Sequence, residues 1–103
     1  MNEAPADPPA TPAPGTSVRT VTIVNRRGLH ARAAARFVKT AERFKAEITV
    51  VRKDTVVSGL SIMGLMMLAA APGATLELRA SGAEAEAALD ALSKLVADKF
   101  DED

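Results

Sequence analysis

The sequence predicts one α+β domain of order β-α-β-β-α-β-α, in which a four-stranded antiparallel sheet is covered on one face by three helices. Three observations lead there. Short apolar–polar alternations such as Thr75-Leu76-Glu77-Leu78-Arg79 have the two-residue period of half-buried strands. Two longer stretches repeat apolar residues at steps of three and four, which gathers them on one side of a helix. The chain has 103 residues, enough for one small domain with a modest core.

Residues 1–16 hold five of the six prolines and almost no large apolar side chain, so they read as a disordered, partly polyproline-like tail ahead of a domain at 17–100. The first strand is expected over Val18–Val24, with Val21 and Ile23 inward. Gly28 then supplies the backbone freedom for a sharp turn. A helix over Ala31–Phe44 follows, with Ala34, Phe37, Val38, Ala41 and Phe44 on its core stripe. Glu47–Val50 alternates and continues through the polar turn Arg52-Lys53-Asp54 into Thr55-Val56-Val57, a hairpin that Gly59 ends.

A short helix runs from Ser61 to about Leu68 and stops before Pro72-Gly73. Ser61 is a preferred N-cap residue there. The strand Thr75–Arg79 points Leu76 and Leu78 inward, and Ser81-Gly82-Ala83-Glu84 has the spacing of a capping box. The last helix places Ala85, Leu89, Leu92, Val96 and Phe100 on one stripe, and the acidic residues 101–103 are expected to fray.

Composition removes several classes of function. Without cysteine there is no disulfide framework and no thiolate site, and a single histidine cannot build a usual zinc centre, so no metal or cofactor is expected. Three Phe with no Tyr or Trp argue against a base-stacking nucleic-acid platform. The longest apolar run, Ile62–Ala71, is short for a bilayer, and Glu3 and Asp7 stand where a signal would be basic, so a cytoplasmic protein is expected. The net charge of zero conceals a division: residues 25–53 carry nine Lys/Arg against two acids, whereas residues 77–103 carry eight acids against three bases. The basic half should attract acidic partners.

The candidate chemistry lies at Asn25-Arg26-Arg27-Gly28-Leu29-His30-Ala31-Arg32-Ala33-Ala34. His30, the only histidine, falls outside the helix stripe and at or just before the first helical turn. Backbone N–H groups there have no internal acceptor and the helix dipole is positive, which makes an anion site and disfavours imidazolium. Arg32 adds a planar guanidinium able to grip phosphate oxygens. A nucleophile, free donors and a fixed cation together suggest phosphoryl acceptance.

Gly28-Leu29-His30-Ala31-Arg32-Ala33-Ala34 resembles the active-site signature of the HPr family, phosphocarriers of the bacterial phosphoenolpyruvate-dependent phosphotransferase systems. Ser61-Ile62-Met63-Gly64-Leu65-Met66-Met67-Leu68 resembles that family's regulatory-serine segment at the family's spacing, and the likeness runs from about Val18 to about Phe100. The resemblance implies an open-faced β-sandwich with His30 as the phosphohistidine and Arg32 as phosphate stabiliser. Ser61 would be a regulatory phosphoserine, and Arg32, Ile62, Met63 and Met66 would contact partners, with Leu65 and Leu68 turned inward. Implied partners are enzyme I, a IIA-type domain and, for Ser61, an HPr kinase/phosphorylase, with the protein itself monomeric.

Three departures stand out. Ala33 occupies the place where the family usually has Pro, Leu60 precedes the serine where a basic residue is usual, and the Met66–Gly73 run looks more like the nitrogen-branch carriers. Two rival functions share the predicted topology or charge: a ferredoxin-like small-molecule-sensing module, and an RNA-binding protein that uses the basic helix.

Overall fold

The computed structural model describes residues 12–102, so the expectations for residues 1–11 and Asp103 lie outside the described residues. Strand β1 spans Ser17–Thr22, helix α1 Ala31–Ala41, strands β2 and β3 Glu47–Arg52 and Thr55–Ser58, helix α2 Ile62–Met67, strand β4 Thr75–Ser81 and helix α3 Ala85–Ala97; a short turn of 3-10 type follows at Lys99–Asp101. The four strands form one antiparallel sheet of order β1-β4-β2-β3. The predicted α+β, open-faced architecture is therefore the one observed. No helix among the described residues is long and apolar enough to cross a membrane.

Alternation decides which strand residues enter the core. Val21, Ile23, Ile48, Val50, Leu76 and Leu78 are all buried, and they meet Ala34, Phe37 and Ala41 of α1, Leu65 of α2, and Leu89, Leu92 and Val96 of α3. Burial of a full Leu or Phe side chain contributes about 1.5–3 kcal/mol, so this cluster is the main source of stability.

Local signals misplace three boundaries. Helix α1 ends at Ala41 instead of Phe44, because the N–H groups of Arg43 and Phe44 turn to the carbonyls of Thr40 and Ala41 as the chain swings toward β2. Phe44 still packs against the core, but from the turn. The capping box does not form: Ser81 stays in β4, paired with Glu47. The Glu84 carboxylate accepts instead from the Lys45 N–H at 2.6 Å, and no side-chain bond caps α3. Pairing between β2 and β4 brings Lys45 to Glu84, and that long-range bond displaces the local one.

The third difference concerns the C-terminus, which does not fray at Asp101 and Glu102. Helix α3 stops at Ala97, and Lys99, Phe100 and Asp101 take φ of 59°, 55° and 62°, a left-handed turn without glycine. Each such residue costs about 1–2 kcal/mol. Phe100, fully buried, offsets part of this, and its carbonyl accepts from the Arg36 guanidinium.

Gly28 has φ +69°, and a Cβ there would lie 2.5 Å from the Ala70 carbonyl oxygen, the same oxygen that accepts the Leu29 N–H at 2.9 Å. The close approach fixes the loop before α1 to the loop after α2. Gly28→Ala is expected to cost about 2–4 kcal/mol from the left-handed penalty plus the backbone clash, measurable as a lowered urea midpoint.

Candidate functional site

His30 is the N-cap of α1, with extended backbone at φ −82° and ψ −177°, and its carbonyl accepts the Ala34 N–H at 2.8 Å. Its ring folds back over the start of the helix, where Nδ1 accepts the Arg32 N–H at 3.2 Å. On the other side Nε2 lies 2.6 Å from Oε2 of Glu102. The partners assign the tautomer: an amide N–H only donates and a carboxylate only accepts, so the proton sits on Nε2 and the lone pair on Nδ1. The imidazole is held without being sealed in, at 20% side-chain exposure.

Glu102 is fixed in turn by Asn25. This side chain is fully buried and its Nδ2 donates both to the Gly28 carbonyl at 2.8 Å and to Oε1 of Glu102 at 3.1 Å. One amide thus ties the glycine turn, the carboxylate and the ring into a single network. Burial of Glu102 works against its charged form, but the hydrogen bonds from Asn25 and His30, with the positive charge of Arg27, outweigh it and hold the carboxyl below its usual range.

Arg32 contributes twice, through its backbone N–H to the ring and through its side chain, which with Arg26, Arg27, Arg36, Asp101 and Glu102 lines a cavity of about 370 Å³. A neighbouring cavity of about 200 Å³ is lined by Arg27, Leu29, His30 and Ala69 to Ala71. The site therefore combines a nucleophilic nitrogen at a positive helix end with a wall of guanidinium groups suited to phosphate oxygens.

Ser61 is the N-cap of α2, its hydroxyl accepting the Gly64 N–H at 2.8 Å. On that helix Leu65 and Leu68 are buried, while Ile62, Met63 and Met66 are 39%, 72% and 42% exposed. Leu60 and Met67 add to the same apolar surface. Helix α2 packs against α1, but Ser61 lines neither the cavity beside Glu102 nor the one at His30.

The sequence puts Asn25 in the candidate stretch without assigning it a role, and Arg36 and Glu102 outside that stretch. Asn25 carried a usable signal, since it has the inward parity of Val21 and Ile23 at the end of the same strand run, and a polar residue at a buried position needs partners. Glu102 carried none: an acidic residue in the run Asp101-Glu102-Asp103 reads as solvated tail until the left-handed turn redirects it.

Residues 17–98 match the sequence model of the family described as "PTS HPr component phosphorylation site". The chain is 48% identical over 84 residues to the phosphocarrier protein HPr of Neisseria meningitidis, covering 82% of this chain and 94% of that protein. It is 49% identical over 84 residues to the phosphocarrier protein NPr of Shewanella violacea, covering 82% and 92%. Among solved structures, HPr-C-His from Thermoanaerobacter tengcongensis superposes with a TM-score of 0.81 at 41% identity, covering 84% of this chain and 98% of that one.

Because the Glu102 carboxyl is held below its ordinary value of 4.5, its contribution is complete above that value and is lost as pH falls through the lower folded-state value. The side-chain carboxyl NMR signal of Glu102 should accordingly keep its ionised position on acidification to pH 4.5 and change only below it. Titration of Glu102 at or above its ordinary value would contradict the network.

Proposed function

Since the chain belongs to the HPr family, we propose that it is a phosphocarrier of the phosphoenolpyruvate-dependent phosphotransferase system. On this reading Nδ1 of His30 accepts a phosphoryl group from a phosphohistidine of enzyme I and passes it to a histidine of a IIA-type domain. The observation that carries the reading is the lone pair of Nδ1 poised over the N-terminus of α1 while Nε2 is anchored to Glu102.

The chemistry follows from that arrangement. The Nδ1 lone pair attacks phosphorus in line, the donor N–P bond breaks, and its electron pair returns to the donor imidazole. Such transfer asks chiefly for positioning and charge stabilisation. Attack leaves the His30 ring with a formal positive charge while Nε2 keeps its proton, and the Glu102 carboxylate compensates that charge. The Arg32 N–H, released from Nδ1, turns to a phosphoryl oxygen, and the Arg32 guanidinium takes another. The site is open at one side, so the group leaves as readily as it arrives.

Phosphorylation of Ser61 by an HPr kinase/phosphorylase is the regulatory part of the proposal. It would add roughly two negative charges at the start of α2, beside Ile62, Met63 and Met66, which together with Arg32 form the surface for the phosphotransfer partners. The same reading places the protein in the cytoplasm as a monomer that needs no cofactor. The small-molecule-sensing alternative has less support, since the cavity beside Glu102 is walled by charged residues.

Incubation with phosphoenolpyruvate and enzyme I should give one acid-labile phosphate by intact-mass spectrometry, absent in His30→Ala. Arg32→Ala should keep the modification but slow its formation roughly 10- to 100-fold, as loss of one charge-assisted donor does at such sites. A phosphate retained by His30→Ala would refute the assignment.

A further inference from the structure

The larger of the two cavities in this region, of about 370 Å³, is not lined by His30. Its walls are Arg26, Arg27, Arg32, Arg36, Asp101 and Glu102, so every lining side chain is charged and guanidinium groups are in the majority. Local structure holds these arginines together. Arg26 and Arg27 are the central residues of a turn closed by the Gly28 N–H on the Asn25 carbonyl at 3.2 Å, and the buried Asn25 amide secures that turn by donating to the Gly28 carbonyl at 2.8 Å. Arg32 and Arg36 stand one turn apart on α1, where like charges repel. Arg36 is anchored through Nη1 on the Phe100 carbonyl.

Among the described residues, the ion pairs within 4.0 Å are those of Arg19 with Glu86 and Asp90, His30 with Glu102, Arg79 with Glu77 and Lys94 with Asp98. None involves an arginine of the cavity. Glu102 is engaged by His30 and Asn25 instead. Four cations thus face two carboxylates without direct pairing, and their mutual repulsion is relieved when an anion enters.

We propose that this cavity binds a compact inorganic polyphosphate, with pyrophosphate as the smallest ligand, held by the arginine pair of the turn and the arginine pair of the helix. Guanidinium forks match phosphate oxygens in geometry as well as charge. The volume equals on the order of ten waters at about 30 Å³ each, more than one phosphate group fills. No aromatic or aliphatic side chain lines the cavity, so nothing in its walls reads a nucleobase. Charge and phosphate geometry alone select the ligand. The inference is independent of the phosphocarrier reading, because it uses no atom of His30. Arg32 and Glu102 are shared with the His30 network, and the test therefore leaves both unaltered.

The probe is magnesium-free inorganic pyrophosphate, titrated into the isotope-labelled full chain near neutral pH in about 0.15 M salt, where non-specific attraction is screened. Side-chain Nε–Hε signals of Arg26, Arg27 and Arg36 should shift to saturation while those of Arg19 and Arg52 stay in place. Replacing the two exposed turn residues together, Arg26→Gln with Arg27→Gln, should weaken binding roughly ten-fold or more. Inorganic phosphate should also bind roughly ten-fold more weakly than pyrophosphate, whereas His30→Ala should bind pyrophosphate within about two-fold of the unaltered chain. Four results would each overturn the proposal: unsaturated shifts spread over Arg19 and Arg52, unchanged binding in the double variant, phosphate binding as tight as that of pyrophosphate, or binding lost in His30→Ala, which would seat the anion on the imidazole.

Discussion

The site depends on one imidazole held from two sides, by a peptide N–H on Nδ1 and a carboxylate on Nε2. Either bond alone would leave the ring free to turn and the tautomer undecided. Together they exclude the alternative proton arrangement, because an amide cannot accept and an ionised carboxylate cannot donate. Which ring nitrogen keeps its lone pair is thus chosen by hydrogen-bond complementarity.

Holding the carboxylate in place requires most of the fold. Phe100, seated in the core, anchors a turn whose three left-handed residues carry the chain back over α1, and Arg36 from that helix closes on the Phe100 carbonyl. Asn25, at the end of the β1 run, completes the frame from beneath. Strain at a functional position persists when its surroundings over-determine it, and here three elements distant in sequence converge on one residue.

The division of charge along the chain acquires a spatial meaning in the same region. Acidic residues from the C-terminal half, Asp101 and Glu102, join a cavity otherwise lined by arginines of the N-terminal half. They moderate a concentration of positive charge that would otherwise repel itself, and the four arginines still outnumber them.

Sequence alone determined what rests on period and local chemistry. The two-residue alternation put Val21, Ile23, Leu76 and Leu78 inside, the helical stripe put Phe37, Leu89 and Leu92 against them, and His30 and Ser61 were legible as helix-start residues because capping is decided within one turn. Tertiary structure decided what rests on competition between distant partners. Glu84 abandoned a local cap for Lys45 because sheet pairing brought that N–H within reach. Glu102 became part of the site because burial of Phe100 bent the chain end toward His30. Periodicity records which side of an element faces inward; which residues meet across the core is fixed only when the elements pack.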